Sequence, residues 1–78
     1  MEKSIYFTEC EHAGDLSNYT DDLFNSGAKI ISEKLNDEEE TARVVIEVEE
    51  DEYNAFFKKF KKTDAYLFSS FYNSEDND

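Results

Sequence analysis

The chain has 78 residues, 20 acidic against 8 basic for a formal net charge of -12, and 38% of it is hydrophobic. That length holds one domain whose core only just offsets chain entropy, and an aromatic content of 15% excludes a disordered polypeptide, which has little to bury. The charge disfavours direct binding of DNA, RNA or an anionic membrane, because the phosphate term that dominates such affinity would be repulsive. The partner it predicts is a basic protein.

The N-terminal stretch "MEKSIYFTECEH" lacks the apolar core of a signal peptide. No apolar run reaches the roughly 18 residues that a spanning helix needs. The expectation is an intracellular, cytoplasmic protein, and a single cysteine, Cys10, agrees with a reducing compartment.

"SIYFTE", Ser4 to Glu9, is aromatic and β-branched and predicts a first strand, with Ile5 and Phe7 on one face and Tyr6 and Thr8 on the other. In "DLSNYTDDLFNSG" Asp15 is a candidate N-cap, Leu16, Tyr19, Leu23 and Phe24 recur at helical spacing, and Gly27 stands where a C-terminal glycine stop belongs. From Ala28 two readings compete. Ile30, Ile31 and Leu35 fit a continuation of the helix; alternatively "AKIISEKL" is a strand joined through "NDEEET" to "ARVVIEVE" as a hairpin. Gly27 as a stop favours the hairpin.

Ala42, Val44, Ile46 and Val48 alternate with Arg43, Val45, Glu47 and Glu49, the period of a strand with one buried face. Tyr53, Phe56, Phe57 and Phe60 then fall at i, i+3, i+4 and i+7 of a second helix. Its acids Asp51 and Glu52 sit at the start and its lysines toward the end, each where the macrodipole favours them. "AYLFSSFY" predicts a last strand. Residues 1–73 thus form one domain, followed by a polar, acidic tail at 74–78 expected to be flexible.

The order strand, helix, strand, strand, helix, strand resembles the ferredoxin-like split βαβ fold over nearly the whole chain. The resemblance implies an α+β domain with a four-stranded antiparallel sheet and two helices on one face. The alternative, a βαβαβ chain with one long first helix, follows if Ala28 to Leu35 is helical.

On that topology Glu9, Glu11, Asp15, Asp37, Glu38, Glu39 and Glu40 share one rim of the sheet. Glu49, Glu50, Asp51 and Glu52 occupy the opposite end beside Glu75, Asp76 and Asp78, while Asp21 and Asp22 extend the charge along the first helix. Spaced carboxylates of this kind can imitate nucleic-acid phosphates, which in duplex DNA supply about one charge per 1.7 Å of axis. The plainer account is a solvated surface that keeps a small domain soluble.

One face of such a sheet carries no helix. Tyr6, Val45 and one side of the last strand (Tyr66, Phe68 and Tyr72, or Leu67 and Phe71) are expected there, as an apolar patch for a partner or a second copy of the chain. The face lacks the basic signature of an RNA-recognition sheet.

"CEH" places Cys10, Glu11 and His12 together, but one cysteine and one histidine fall short of a zinc ligand set. An acidic setting also raises a thiol's pKa and blunts it as a nucleophile. "NDEEETARVVIE" lacks the alternating ligands and glycine of a calcium loop, and no phosphate-binding glycine loop or hydrolase elbow is present. The expectation is a protein with no catalytic residue, metal or cofactor.

The leading functional reading is therefore a non-enzymatic acidic inhibitor that mimics nucleic acid and blocks a basic DNA- or RNA-binding protein. Its candidate contacts are Asp21, Asp22, Asp37, Glu38, Glu39, Glu40, Glu49, Glu50, Asp51 and Glu52. In size and charge the chain resembles the phage-encoded anti-defence proteins, anti-CRISPR and anti-restriction inhibitors, which would act in a host cytoplasm. The alternative is a small dimerising regulatory or structural module that uses Tyr6, Val45, Tyr66, Phe68 and Tyr72 as its interface.

Overall fold

The computed structural model describes residues 1–73, with the side chains of Tyr72 and Asn73 excepted; the tail expected at 74–78 lies outside the described residues. The elements are β1 (Glu2–Phe7), α1 (Ala13–Asn25), β2 (Lys29–Asn36), β3 (Thr41–Glu47), a 3-10 turn (Glu50–Glu52), α2 (Tyr53–Phe60), α3 (Asp64–Leu67) and β4 (Ser69–Asn73). The strands form one sheet in the order β2-β3-β1-β4, every neighbouring pair antiparallel. This small α+β architecture is compatible with the ferredoxin-like arrangement. The 3-10 turn before α2 and the extra short helix α3 depart from the expected set of two helices.

Ala28 to Leu35 is not helical, so the one-long-helix alternative fails. The reason lies at Gly27, whose φ of 116° only glycine adopts at little steric cost. Gly27 N–H donates to the Phe24 carbonyl at 3.0 Å and Ala28 N–H to the Leu23 carbonyl at 3.1 Å, the paired bonds of a Schellman stop. Ala28 and Leu23 are both buried, which supplies the apolar contact that accompanies this motif.

The start of α1 differs from expectation. His12, not Asp15, occupies the N-cap, with extended backbone and no side-chain capping bond. Asp15 lies in the first turn and reaches back, its Oδ2 accepting from the Glu11 N–H at 3.0 Å. A carboxylate there meets the positive end of the helix from inside.

The alternation read in β3 holds: Ala42, Val44 and Ile46 are buried, and so is Val48 just beyond it. On β1 Ile5 and Phe7 are fully buried. These side chains join Leu16 and Leu23 of α1, Phe56 and Phe60 of α2 and Ala65 of α3 in a single core cluster. The aromatic part of that cluster interlocks. Phe56 stacks on Phe60 with centroids 5.8 Å apart, and Phe71 of β4 meets Phe57 and Phe60 edge-on at 5.4 and 5.7 Å, geometries that aromatic rings favour.

β2 is an edge strand and mostly exposed. A register shift between Ile30 and Ser32 leaves Ile31 out of the pairing, so that Ile30 faces Ile46 and Ser32 faces Val45. Such a bulge, with Lys29, Glu33 and Lys34 along the strand, blunts an edge against pairing with another chain.

The predicted last strand begins late. Asp64 to Leu67 form α3, and Tyr66 sets its ring edge-on to Phe57 and Phe60 at 5.8 and 6.0 Å. A helical turn lets Ala65 be buried while its neighbour Tyr66, half-buried, packs on α2, whereas neighbouring residues of a strand point to opposite faces.

Candidate acidic binding surface

β1 ends at Phe7, and the chain then turns through Thr8 to Glu11 into α1. Tyr19, from α1, stacks on Phe7 at 4.7 Å and donates its hydroxyl to the Glu9 carbonyl at 2.9 Å. Across from it, β2 and β3 are joined by the four-residue loop Asp37 to Glu40. That loop is closed by Glu39 N–H donating to the Asn36 carbonyl at 3.3 Å and Glu40 N–H to that of Asp37 at 3.4 Å. The two loops meet where Cys10 N–H donates to the Glu40 carbonyl at 3.0 Å. Glu9, Glu11, Asp15 and Asp37 to Glu40 therefore lie at one end of the sheet, as the sequence implied.

Two residues at this junction have unusual backbones. Glu9 and Glu40 adopt φ values of 55° and 57°, the left-handed region that L side chains avoid. Nothing in the sequence announced this, because Glu lacks the turn chemistry of Gly, Asn or Asp.

The rim carboxylates are largely uncompensated. Asp37, Glu38, Glu39 and Glu40 are all exposed. Among the described residues the ion pairs join Met1 N to Glu47 at 2.7 Å and His12 Nε2 to Asp15 Oδ2 at 3.7 Å. Beneath the rim the Cys10 thiol is buried, and its pKa is raised by desolvation and then by the Asp15 charge. Desolvation, with Cys10, Asp15 and Glu9 nearby, likewise raises Tyr19.

The second acidic run lies at the opposite end. Glu2 pairs with Glu47, and Val48 N–H donates to the Met1 carbonyl at 2.9 Å. The N-terminal amine there is raised above its ordinary value, chiefly by its hydrogen bond to Glu47 and further by the charges of Glu47, Glu49 and Glu50, against desolvation. Glu49, Glu50, Asp51 and Glu52 are exposed around the 3-10 turn. Their expected neighbours Glu75, Asp76 and Asp78 fall outside the described residues. Asp21 is exposed on α1, and Asp22 is half-buried with its carbonyl accepting from Ser26 Oγ at 2.8 Å. The candidate contacts thus form two separate ends, roughly 20 Å apart along β3 at about 3.4 Å per residue, plus a site on α1. They are not one patch.

The sheet face without helices differs from the apolar patch expected. Tyr6 (42% exposed) and half-buried Val45 do lie on it. Their cross-strand neighbours are Arg43, Ser70, Ser4 and Ser32, and the Arg43 guanidinium sits 5.8 Å from the Tyr6 ring centroid. Tyr66 and Phe68 are elsewhere: Tyr66 packs on α2, and half-buried Phe68 follows α3, its ring 6.1 Å from Tyr19. The side chain of Tyr72 lies outside the described residues. Phe71 belongs to the core side, and Leu67 is 73% exposed on α3.

Cys10 is buried and His12 exposed, so the "CEH" triplet does not converge. Among the described residues no three His, Cys, Asp or Glu side chains are placed to hold a metal ion. A groove of about 220 Å3 is lined by Ser26, Gly27, Glu52, Ala55, Phe56 and Lys59, below the about 300–1,000 Å3 of typical small-molecule sites. Among the described residues no helix is long and apolar enough to cross a membrane. Compared with protein-family models, with curated proteins and with solved structures, the chain matches none.

Proposed function

We propose that the protein is a non-enzymatic inhibitor that presents phosphate-like carboxylates to a basic nucleic-acid-binding protein, acting in the cytoplasm. The class it resembles in size and charge is that of the phage-encoded anti-CRISPR and anti-restriction proteins. Asp37 to Glu40 form the principal contact, with Glu49 to Glu52 at the far end and Asp21 and Asp22 on α1 as further ones. We also take the domain as ferredoxin-like, with both long helices on one face of the sheet.

The observation that carries the reading is the backbone of Glu9 and Glu40. An L residue in the left-handed region costs about 1–2 kcal/mol, and glycine would relieve it. Both loops keep a carboxylate instead, at the point where they are hydrogen-bonded together. Strain held at one surface is a mark of a functional site, and solubility alone would be served as well by acids on unstrained positions.

The alternative, a module that dimerises through the open sheet face, has less support. Four strands about 4.8 Å apart and five to eight residues long offer roughly 400 Å2, against about 800 Å2 per partner in a standard interface. The face is also polar around Tyr6.

The test is capture from nuclease-treated lysate at low and moderate salt, wild type beside a Glu38→Lys/Glu39→Lys/Glu40→Lys variant. The expected result is stoichiometric recovery of a nucleic-acid-binding protein, displaced by added DNA or RNA and lost in the variant. Recovery of no basic protein, or equal recovery by the variant, refutes the reading.

A further inference from the structure

Half of the chain's eight cations, Lys58, Lys59, Lys61 and Lys62, fall in one short stretch, and all are exposed. Among the described residues none of them lies within 4.0 Å of a carboxylate, although acids outnumber bases 20 to 8. Lys61 instead rests its ammonium 5.8 Å from the Phe57 ring centroid. The macrodipole explains why lysines suit the last turn of α2. It does not explain why the abundant acids stay away from them.

The topology fixes where this basic face lies. Phe57 and Phe60 meet Phe71 of β4, so the end of α2 flanks the β4 side of the sheet. Ser69 pairs with Phe7, and Thr8 N–H donates to the Phe68 carbonyl at 2.9 Å. The chain emerging from α2 and α3 therefore arrives at the same end as the Asp37 to Glu40 loop. That loop joins β2 and β3, on the other flank in the order β2-β3-β1-β4. Lys59 turns to the groove it lines with Ser26, Gly27 and Glu52; among the described residues this end of the molecule thus carries Lys58, Lys61 and Lys62 on one flank and Asp37 to Glu40 on the other, none of them in an ion pair, about two or three strand spacings of roughly 4.8 Å apart. Exposed Leu67 sits at the same end.

A surface of that kind is self-complementary. A two-fold axis perpendicular to the plane of the sheet exchanges the flanks, so each acidic loop meets the other copy's lysines, the isologous arrangement of a cyclic dimer. We infer that the lysine face of α2 docks the Asp37 to Glu40 loop of a second copy of this chain, reciprocally and end to end. Asp64, exposed at the start of α3, stays outside the pairing. The contact does not depend on the inhibitor reading, but it uses the same loop, so the dimer would hold that loop away from a foreign basic partner.

Ionic strength gives the dimer a distinctive signature. Two copies at -12 each repel at long range, while the lysine and carboxylate patches attract at contact. The screening length falls from about 30 Å at 0.01 M to about 8 Å at 0.15 M and about 3 Å at 1 M. Association should therefore be weak at the lowest salt, strongest near 0.15 M, and weak again at 1 M. Two loops and a helical turn make less than a standard interface, so the dimer is weak and populated only at high protein concentration.

Sedimentation velocity at up to about 1 mM protein across those salts tests the inference, on wild type, a Glu38→Lys/Glu39→Lys variant, a Lys61→Glu/Lys62→Glu variant and their equimolar mixture. The expected result is dimer for wild type, monomer for each variant alone, and recovered dimer in the mixture, where both contacts become complementary again. Amide chemical shifts of wild type on dilution, moving together at 37–40 and 58–62, read the same contact without any substitution. Wild type that stays monomeric at every salt, variants that associate as well as wild type, a mixture that recovers nothing, or dilution shifts confined to the open sheet face would each overturn it.

Discussion

Replacing Glu40 by glycine should make the protein more stable. The native φ of 57° places an L side chain where Cβ crowds its own carbonyl, at about 1–2 kcal/mol. Glycine removes that strain but loses more backbone freedom on folding, by about 0.5–1 kcal/mol. The balance is a gain of about 0.7 kcal/mol, which in a domain of this size raises Tm by roughly 3–6 °C. The substitution also removes a charge from the run Asp37 to Glu40, so Glu40→Ala is the necessary control, because it removes the same carboxylate and keeps the strain. Thermal and urea melts followed by circular dichroism give the comparison. The difference between the two variants isolates the backbone, and glycine and alanine variants that melt together would refute the strain argument. Glu9→Gly should behave similarly. Because Cys10 N–H bonds the Glu40 carbonyl, the two substitutions touch one network and their effects need not add. If Glu40 is retained for binding, Glu40→Gly will be more stable and bind worse, a pairing that a purely solubilising role does not give.

Phe60→Ala should come close to unfolding the domain. Phe60 is fully buried against Phe56, Tyr66 and Phe71, and its truncation costs about 3–5 kcal/mol out of the about 4–12 expected for a chain this long; urea denaturation reads it directly. Gly27→Ala places Cβ in open space at φ 116°, so its penalty of about 1 kcal/mol or more comes from the backbone alone and appears as a lower Tm. Stability should also fall on the alkaline side. Cys10, Tyr19 and Tyr53 are all raised above their ordinary values, chiefly by desolvation, so the unfolded chain releases these protons first. The stability they contribute is complete below the unfolded pKa values and is lost as pH rises through the folded ones. Melts from pH 8 upward, repeated on Cys10→Ala, should show a shallower decline in the variant over the range set by the thiol's ordinary value of 9.0.

What the sequence made legible was whatever one period or one special residue decides. The alternation of β3 and the Tyr53, Phe56, Phe57, Phe60 stripe each admit one face toward a core, and Gly27 could end α1 where no other residue does so as readily. The run "AYLF" has no such signature, because four consecutive large or apolar residues suit a buried strand and a buried helical turn alike. The choice fell to the packing against Phe57 and Phe60, on whose rings Tyr66 sits edge-on from a helical turn and Phe71 from the strand that follows. Asp15 was misplaced for a related reason, since both a cap and a first-turn carboxylate favour the same helix end and differ only in where the chain leaves β1. The acidic surface was half legible. Topology alone brings "ECEHAGD" and "NDEEET" to one end, because β1 finishes where β3 begins. The left-handed Glu9 and Glu40 were invisible, as was the sorting of Lys58 to Lys62 onto the opposite flank of the same end. Both arise from how two loops and a helix close against a sheet, and both turn a tally of charges into a surface with direction.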